Sequence, residues 1–167
     1  MKLAIVYDSK TGNTAQCAQW IAEGATKAGD VDARCFSIAD VDEGFIKSSA
    51  GVIIGCPSYY ALMTADMRVW LLEKAGKLSL AGKLGGAFAT QQYTHGGGDL
   101  VIQSILTNEI TVGMLCYSGG GAFGHPVIHL GPVGVNNNVE KVHLEDFKDY
   151  FTIYGERFAA KAKEICK

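Results

Sequence analysis

Ser9-Lys10-Thr11-Gly12-Asn13-Thr14 is the stretch on which the fold turns. Before it, Leu3-Ala4-Ile5-Val6-Tyr7 reads as a buried first strand. After it, Ala15, Ala18, Ile21, Ala22 and Ala25 recur at helical spacing. The stretch is therefore a strand-to-helix turn filled with hydroxyls, an amide and a glycine. Such a turn offers free backbone N–H groups at a helix N-terminus, where the dipole favours an anion. Lys10 is its one cation, so a dianionic phosphate would be held there mainly by neutral donors. An ordinary capped helix start accounts for the same residues equally well.

Strand and helix patterns alternate along the rest of the chain. Val31–Ser37 reads as a second strand, and Asp40–Ser48 as a short helix or loop. Gly51–Cys56 is a continuous apolar run, as in a strand covered on both faces. Thr64 looks like the N-cap of a helix whose inner face is Met67, Trp70, Leu71, Ala75 and Leu78. Leu84–Thr90 is a fourth strand. A helix from Gly98 to about Asn108 follows, with Leu100, Ile102, Ile105 and Leu106 inward. Val112–Tyr117 reads as a fifth strand, interrupted by Ser118-Gly119-Gly120-Gly121 and resumed near Val127–Leu130. In the last helix Phe147, Tyr150, Phe151, Tyr154, Phe158, Ala162 and Ile165 share a face. The expectation is a single α/β domain over 1–167, a doubly wound five-stranded parallel sheet with helices on both faces.

Composition agrees with one compact domain: 167 residues, 48% hydrophobic, 19% charged, with a mean hydropathy of +0.12. A net charge of −2 offers no footprint for nucleic acid, and no apolar run reaches membrane-spanning length. The first strand begins at once, leaving no room for a signal peptide, and the chain is read as cytoplasmic. Five scattered cysteines without a C-x-x-C pair point to reduced thiols and not to zinc or an iron–sulfur cluster. His125 and His129 lack an evident third ligand, so no metal is expected. The G-x-G-x-x-G at Gly119, Gly121 and Gly124 leads into His125-Pro126 and no helix, which removes the dinucleotide-binding context.

In a doubly wound sheet ligands sit beyond the C-terminal strand ends, where strand order reverses. Three loops meet there. Besides Ser9–Thr14, Pro57-Ser58-Tyr59-Tyr60-Ala61-Leu62-Met63 carries more apolar surface than solvated loops usually do. A flat aromatic ligand, a protein interface, or tyrosines covering the sheet edge would each explain it. Gln91-Gln92-Tyr93-Thr94-His95-Gly96-Gly97-Gly98 sets an imidazole before three glycines, where backbone can approach a ligand closely.

Together these loops resemble the flavodoxin-like superfamily and, within it, the WrbA-like quinone oxidoreductases. Ser9–Thr14 is similar to the [ST]-x-T-G-N-T loop that holds the phosphate of flavin mononucleotide (FMN). Pro57–Met67 is similar to P-T-R-F-G-N-M-A-A-Q-M, and Thr94–Asp99 to an H-G-G-Q-E loop. The resemblance covers the chain in element order and implies the strand order 2-1-3-4-5. It assigns Ser9, Lys10, Thr11, Gly12, Asn13 and Thr14 to the phosphate. Pro57, Ser58, Tyr59, Tyr60, Ala61 and Met63 would flank the isoalloxazine. Thr90, Gln91, Gln92, Tyr93 and Gly96 would line its pyrimidine side, with His95 as the catalytic group.

Ala61 stands where that branch has glycine, and Tyr59 replaces its basic residue. The insertion that supports its tetramers is missing, so a homo-oligomer stays open. Two functions follow from the resemblance. One is an NAD(P)H:quinone oxidoreductase working by ping-pong hydride transfer, with NAD(P)H as reductant and a quinone-like acceptor. The other is a one-electron carrier docking on redox proteins. The histidine–glycine loop and the small net charge favour the enzyme at this stage, since carriers usually show a strongly acidic surface.

Overall fold

A computed structural model describes residues 1–166. The elements run β1 (Lys2–Tyr7), α1 (Asn13–Lys27), β2 (Asp32–Ser37), α2 (Glu43–Ser48), β3 (Gly51–Pro57) and α3 (Ala65–Lys74). They continue with β4 (Leu84–Gln91), α4 (Gly98–Thr111), β5 (Leu115–Cys116), β6 (Val133–Val135) and α5 (Lys148–Ile165). The strands are parallel and ordered β2-β1-β3-β4-β5, as expected, with β6 also paired to β4.

Strand alternation divides the core in two. Leu3 and Ile5 of β1 join Ile53 and Phe88 beneath α1 and α5, whose Ile21, Phe151, Tyr154 and Phe158 fill that side. Ala4 and Val6 face the other way, with Val52 and Ile54, onto Met67, Trp70, Val101, Ile102 and Ile105 of α3 and α4. On the first face α1 and α5 touch through glycines. A Cβ at Gly24 would lie 1.8 Å from the Thr152 carbonyl oxygen, and one at Gly155 2.1 Å from that of Ile21.

The expected cap holds: Thr64 Oγ1 accepts from the Met67 N–H at 3.2 Å. The fifth strand differs from expectation. Only Leu115 and Cys116 pair with Leu84 and Gly85, and the position is resumed by Val133–Val135 beside Ala89–Gln91. Val127–Leu130 forms no strand; it belongs to an excursion that leaves the sheet edge after Cys116. The Arg157 guanidinium on α5 organises that excursion by donating to the carbonyls of Gly119, Phe123, Gly124, His125 and Pro126. Those peptide groups are satisfied by a side chain and not by a sheet ladder.

Three helical residues placed inward lie at the surface. Leu100 is 56% exposed, because α4 buries Val101, Ile102 and Ile105, and Tyr150 and Ile165 lie at the margin of α5. No helix among the described residues is long and apolar enough to cross a membrane.

Candidate functional site

The C-terminal ends of β1, β3 and β4 bring the three loops together. In the first, Gly12 takes φ +92°, a conformation that favours glycine, and turns the chain into α1. Ser9 Oγ accepts from the Ala15 N–H at 3.3 Å. Among the described residues the N–H groups of Thr11, Gly12, Asn13 and Thr14 donate to no protein acceptor, so four donors are left free at the start of α1. The helices α2, α3, α4 and α5 each carry a carboxylate in the first turn (Glu43, Asp66, Asp99, Asp149), whereas α1 carries none. Its dipole is left for an anion from outside.

Thr14 is buried, and its hydroxyl meets that of Thr90 at 2.7 Å, which joins the first and third loops. Lys10 is engaged by carboxylates. Its ammonium bonds the Asp66 carboxylate and lies 3.7 Å from Asp8.

The second loop is a two-residue reversal. Tyr59 and Leu62 exchange both backbone bonds, at 2.9 and 3.0 Å, while Tyr60 and Ala61 between them hold φ of +53° and +62°. Tight hairpin turns with two positive φ values favour Asn-Gly, so this one is strained. Replacing Ala61 with glycine is expected to stabilise the protein by about 0.5–1 kcal/mol, since relief of the left-handed strain outweighs the added freedom of the unfolded chain. Urea unfolding checks this, and a loss of stability would contradict it.

Tyr59 is 46% and Tyr60 100% exposed, while Pro57, Ser58, Ala61 and Met63 are half-buried. Cys56, at the strand end, is a poor nucleophile. Burial pushes its thiol up to about 11, and its sulfur accepts from the Thr64 N–H at 3.2 Å.

Ser58 links the second and third loops: its N–H donates to the Thr90 carbonyl and its hydroxyl to that of Gly96, both at 2.7 Å. Gln91 is spent inside the third loop, donating to the Thr94 carbonyl at 3.0 Å and accepting from the Gly98 N–H at 2.7 Å. Gln92, Tyr93 and His95 are exposed, Tyr93 by 55%. Gly97, with φ +78°, passes so close to Ala61 that a Cβ there would lie 2.4 Å from the alanine methyl.

His95 lies exposed on the third loop. It lines a cleft of about 540 Å³ with His129, Val127, Phe147 and Tyr150, to which Ser9–Thr14 and Pro57–Met63 contribute nothing. A wider groove of about 900 Å³ runs from Ala61, Leu62 and Met63 between α3 and α4.

A fourth segment, not legible beforehand, closes the site. Asn136 donates to Asn13 Oδ1 at 3.2 Å. Glu140 accepts from the N–H and hydroxyl of Thr94, both at 2.8 Å, and these bonds hold its carboxyl below the usual range. The only sequence cue was the asparagine run Asn136-Asn137-Asn138.

Parallel strands ordered 2-1-3-4-5, with a glycine turn and free N–H donors after the first strand and an aromatic loop after the third, define a doubly wound α/β domain whose loops meet at its switch point. The flavodoxin family profile matches residues 5–101, and the chain belongs to that family. It is 41% identical to the flavodoxin of Clostridium saccharobutylicum over 99% of both chains. A protein of Acidovorax ebreus named NAD(P)H dehydrogenase (quinone) is 30% identical, over 68% of each chain. A solved flavodoxin from the domain Archaea superposes with a TM-score of 0.78 at 23% identity, covering 98% of this chain and 99% of that one.

Proposed function

We propose that the chain holds FMN and carries electrons between redox partner proteins. The residues present fit this group. Four unpartnered N–H groups and the hydroxyls of Ser9 and Thr11 suit a phosphate dianion, and the exposed rings of Tyr60 and Tyr93 suit a flat heterocycle. When bound, the isoalloxazine supplies the redox chemistry. Thr11–Thr14 would hold the phosphate, while Pro57–Met63 and Thr90–Gly96 would position the ring and keep water from its faces.

The observation that favours a carrier over an enzyme is the distribution of charge. Every α-helix begins at the C-terminal edge of the parallel sheet, the edge on which the site lies. Those loops and first turns contain Asp8, Asp40, Asp42, Glu43, Asp66, Asp99, Glu140, Glu145, Asp146 and Asp149, against Lys10, Arg68, Lys141 and Lys148. A net charge of −2 therefore hides an acidic end around the site. Carboxylates at helix N-termini complement the dipoles, but their sum also steers basic partners toward this end.

Reversing the exposed Asp40, Asp99 and Glu145 to lysine is expected to slow electron delivery to a basic c-type cytochrome by about tenfold at low salt, and to flatten its dependence on ionic strength. Unchanged rates would contradict docking at this end.

The quinone reductase reading rests on His95 and its cleft. It predicts that His95→Ala lowers quinone turnover severalfold with flavin affinity intact, whereas a carrier shows no such turnover to lose.

A further inference from the structure

The lysine of the anion loop has a partner that its position does not announce. Asp8, immediately before the loop, is 4% exposed. Its N–H donates to the Gly55 carbonyl at 3.0 Å, and its Oδ2 accepts from Thr64 Oγ1 at 2.5 Å. Its other oxygen lies 3.7 Å from Lys10 Nζ, the one cation paired with it among the described residues. Lys10 also reaches Asp66 in the first turn of α3, where the same Thr64 caps the helix. A buried carboxylate thus stands at the root of a loop that offers N–H donors to an anion, and the loop's only positive charge is committed to carboxylates.

We propose that Lys10 acts as the counter-charge of Asp8 and not as a ligand of the phosphate, so that Asp8 tunes how tightly Ser9–Thr14 binds a dianion. This rests on the reading of that loop as a phosphate cradle. Lys10 is shared between two carboxylates, but Asp66 is largely exposed and screened by water, so it is the field of the buried Asp8 that Lys10 cancels at the bound dianion. Without Lys10, an uncompensated carboxylate in a poorly solvated position repels the ligand. A direct ligand and a counter-charge then differ in one respect. A ligand matters whether or not Asp8 is charged, whereas a counter-charge matters only when it is.

The test is a double-mutant cycle of Lys10→Met and Asp8→Asn, titrating FMN and riboflavin onto the protein freed of flavin and following flavin fluorescence. Asparagine keeps an acceptor for Thr64, and Asp8→Ser takes its place should the amide variant not fold. Lys10→Met alone is expected to weaken FMN by about tenfold or more and riboflavin by less than about twofold. In the Asp8→Asn background the same substitution is expected to weaken FMN by less than about threefold, and Asp8→Asn alone tightens FMN. An equal loss of FMN affinity in both backgrounds overturns the proposal and makes Lys10 a phosphate ligand. A wild-type protein that binds FMN and riboflavin equally overturns the cradle itself, and this inference with it.

Discussion

Gly12→Val is expected to lower affinity for FMN by about two orders of magnitude while changing riboflavin affinity only a fewfold. Gly12 holds φ +92°, where a β-branched side chain is strongly disfavoured, and nothing in the structure would meet a Cβ there. The strain would be relieved by turning the peptides on either side, since Lys10, Thr11 and Gly12 are exposed. That rotation redirects the free N–H groups of Gly12 and Asn13. Hydrogen bonds to a charged group contribute about 1.5–3 kcal/mol each, so losing one or two of them accounts for the factor. A Cβ at Gly12 meets no core atom, and the variant should fold. Equal loss of both flavins would show that the loop shapes the whole site and is not a phosphate cradle.

Glu109→Gln is expected to stabilise the protein at neutral pH, by an amount that grows with pH. Glu109 is fully buried on α4, with Oε1 unpartnered and Oε2 3.5 Å from the Cys116 sulfur. Burial raises its carboxyl well above the usual range, so it stays protonated in the folded state at pH values where the unfolded chain has released the proton. The folded state then binds more protons than the unfolded one. Stability falls as pH rises from the ordinary glutamate range toward the raised folded value, at about 1.4 kcal/mol per pH unit. Glutamine removes that slope and keeps the shape. Urea unfolding of both proteins at pH 5, 6 and 7 should show a difference that widens with pH; a constant difference would mean that Glu109 is ionised in the fold.

Much of this architecture was legible because periodicity is local. The apolar runs Leu3–Val6 and Val52–Cys56 and the aromatic face of α5 announce buried strands and a helix wherever they occur. Ser9–Thr14 was legible for the same reason, as a turn between two such patterns. The fifth strand was not. Whether Val127–Leu130 or Val133–Val135 pairs with β4 depends on Arg157, about thirty residues away, drawing five carbonyls off the edge. The roles of Asp8, Asn136 and Glu140 also depend on partners 56, 123 and 46 residues distant, which no spacing rule reaches. Net charge was silent in a similar way, because a sum of −2 carries no position. Once every helix start lies at one end of the sheet, the carboxylates of those first turns gather around the site. Ala61, at the position where the resembled branch has glycine, holds a positive φ.

The most direct test of an FMN-dependent electron carrier is an anaerobic absorbance titration of the FMN-loaded protein, first with NADH and NADPH and then with dithionite. The account predicts tight loading, no bleaching by either nucleotide over minutes, and reduction by dithionite in two resolved one-electron steps. Rapid two-electron bleaching by a nucleotide would contradict the carrier and restore the quinone reductase reading, and failure to load FMN would contradict both.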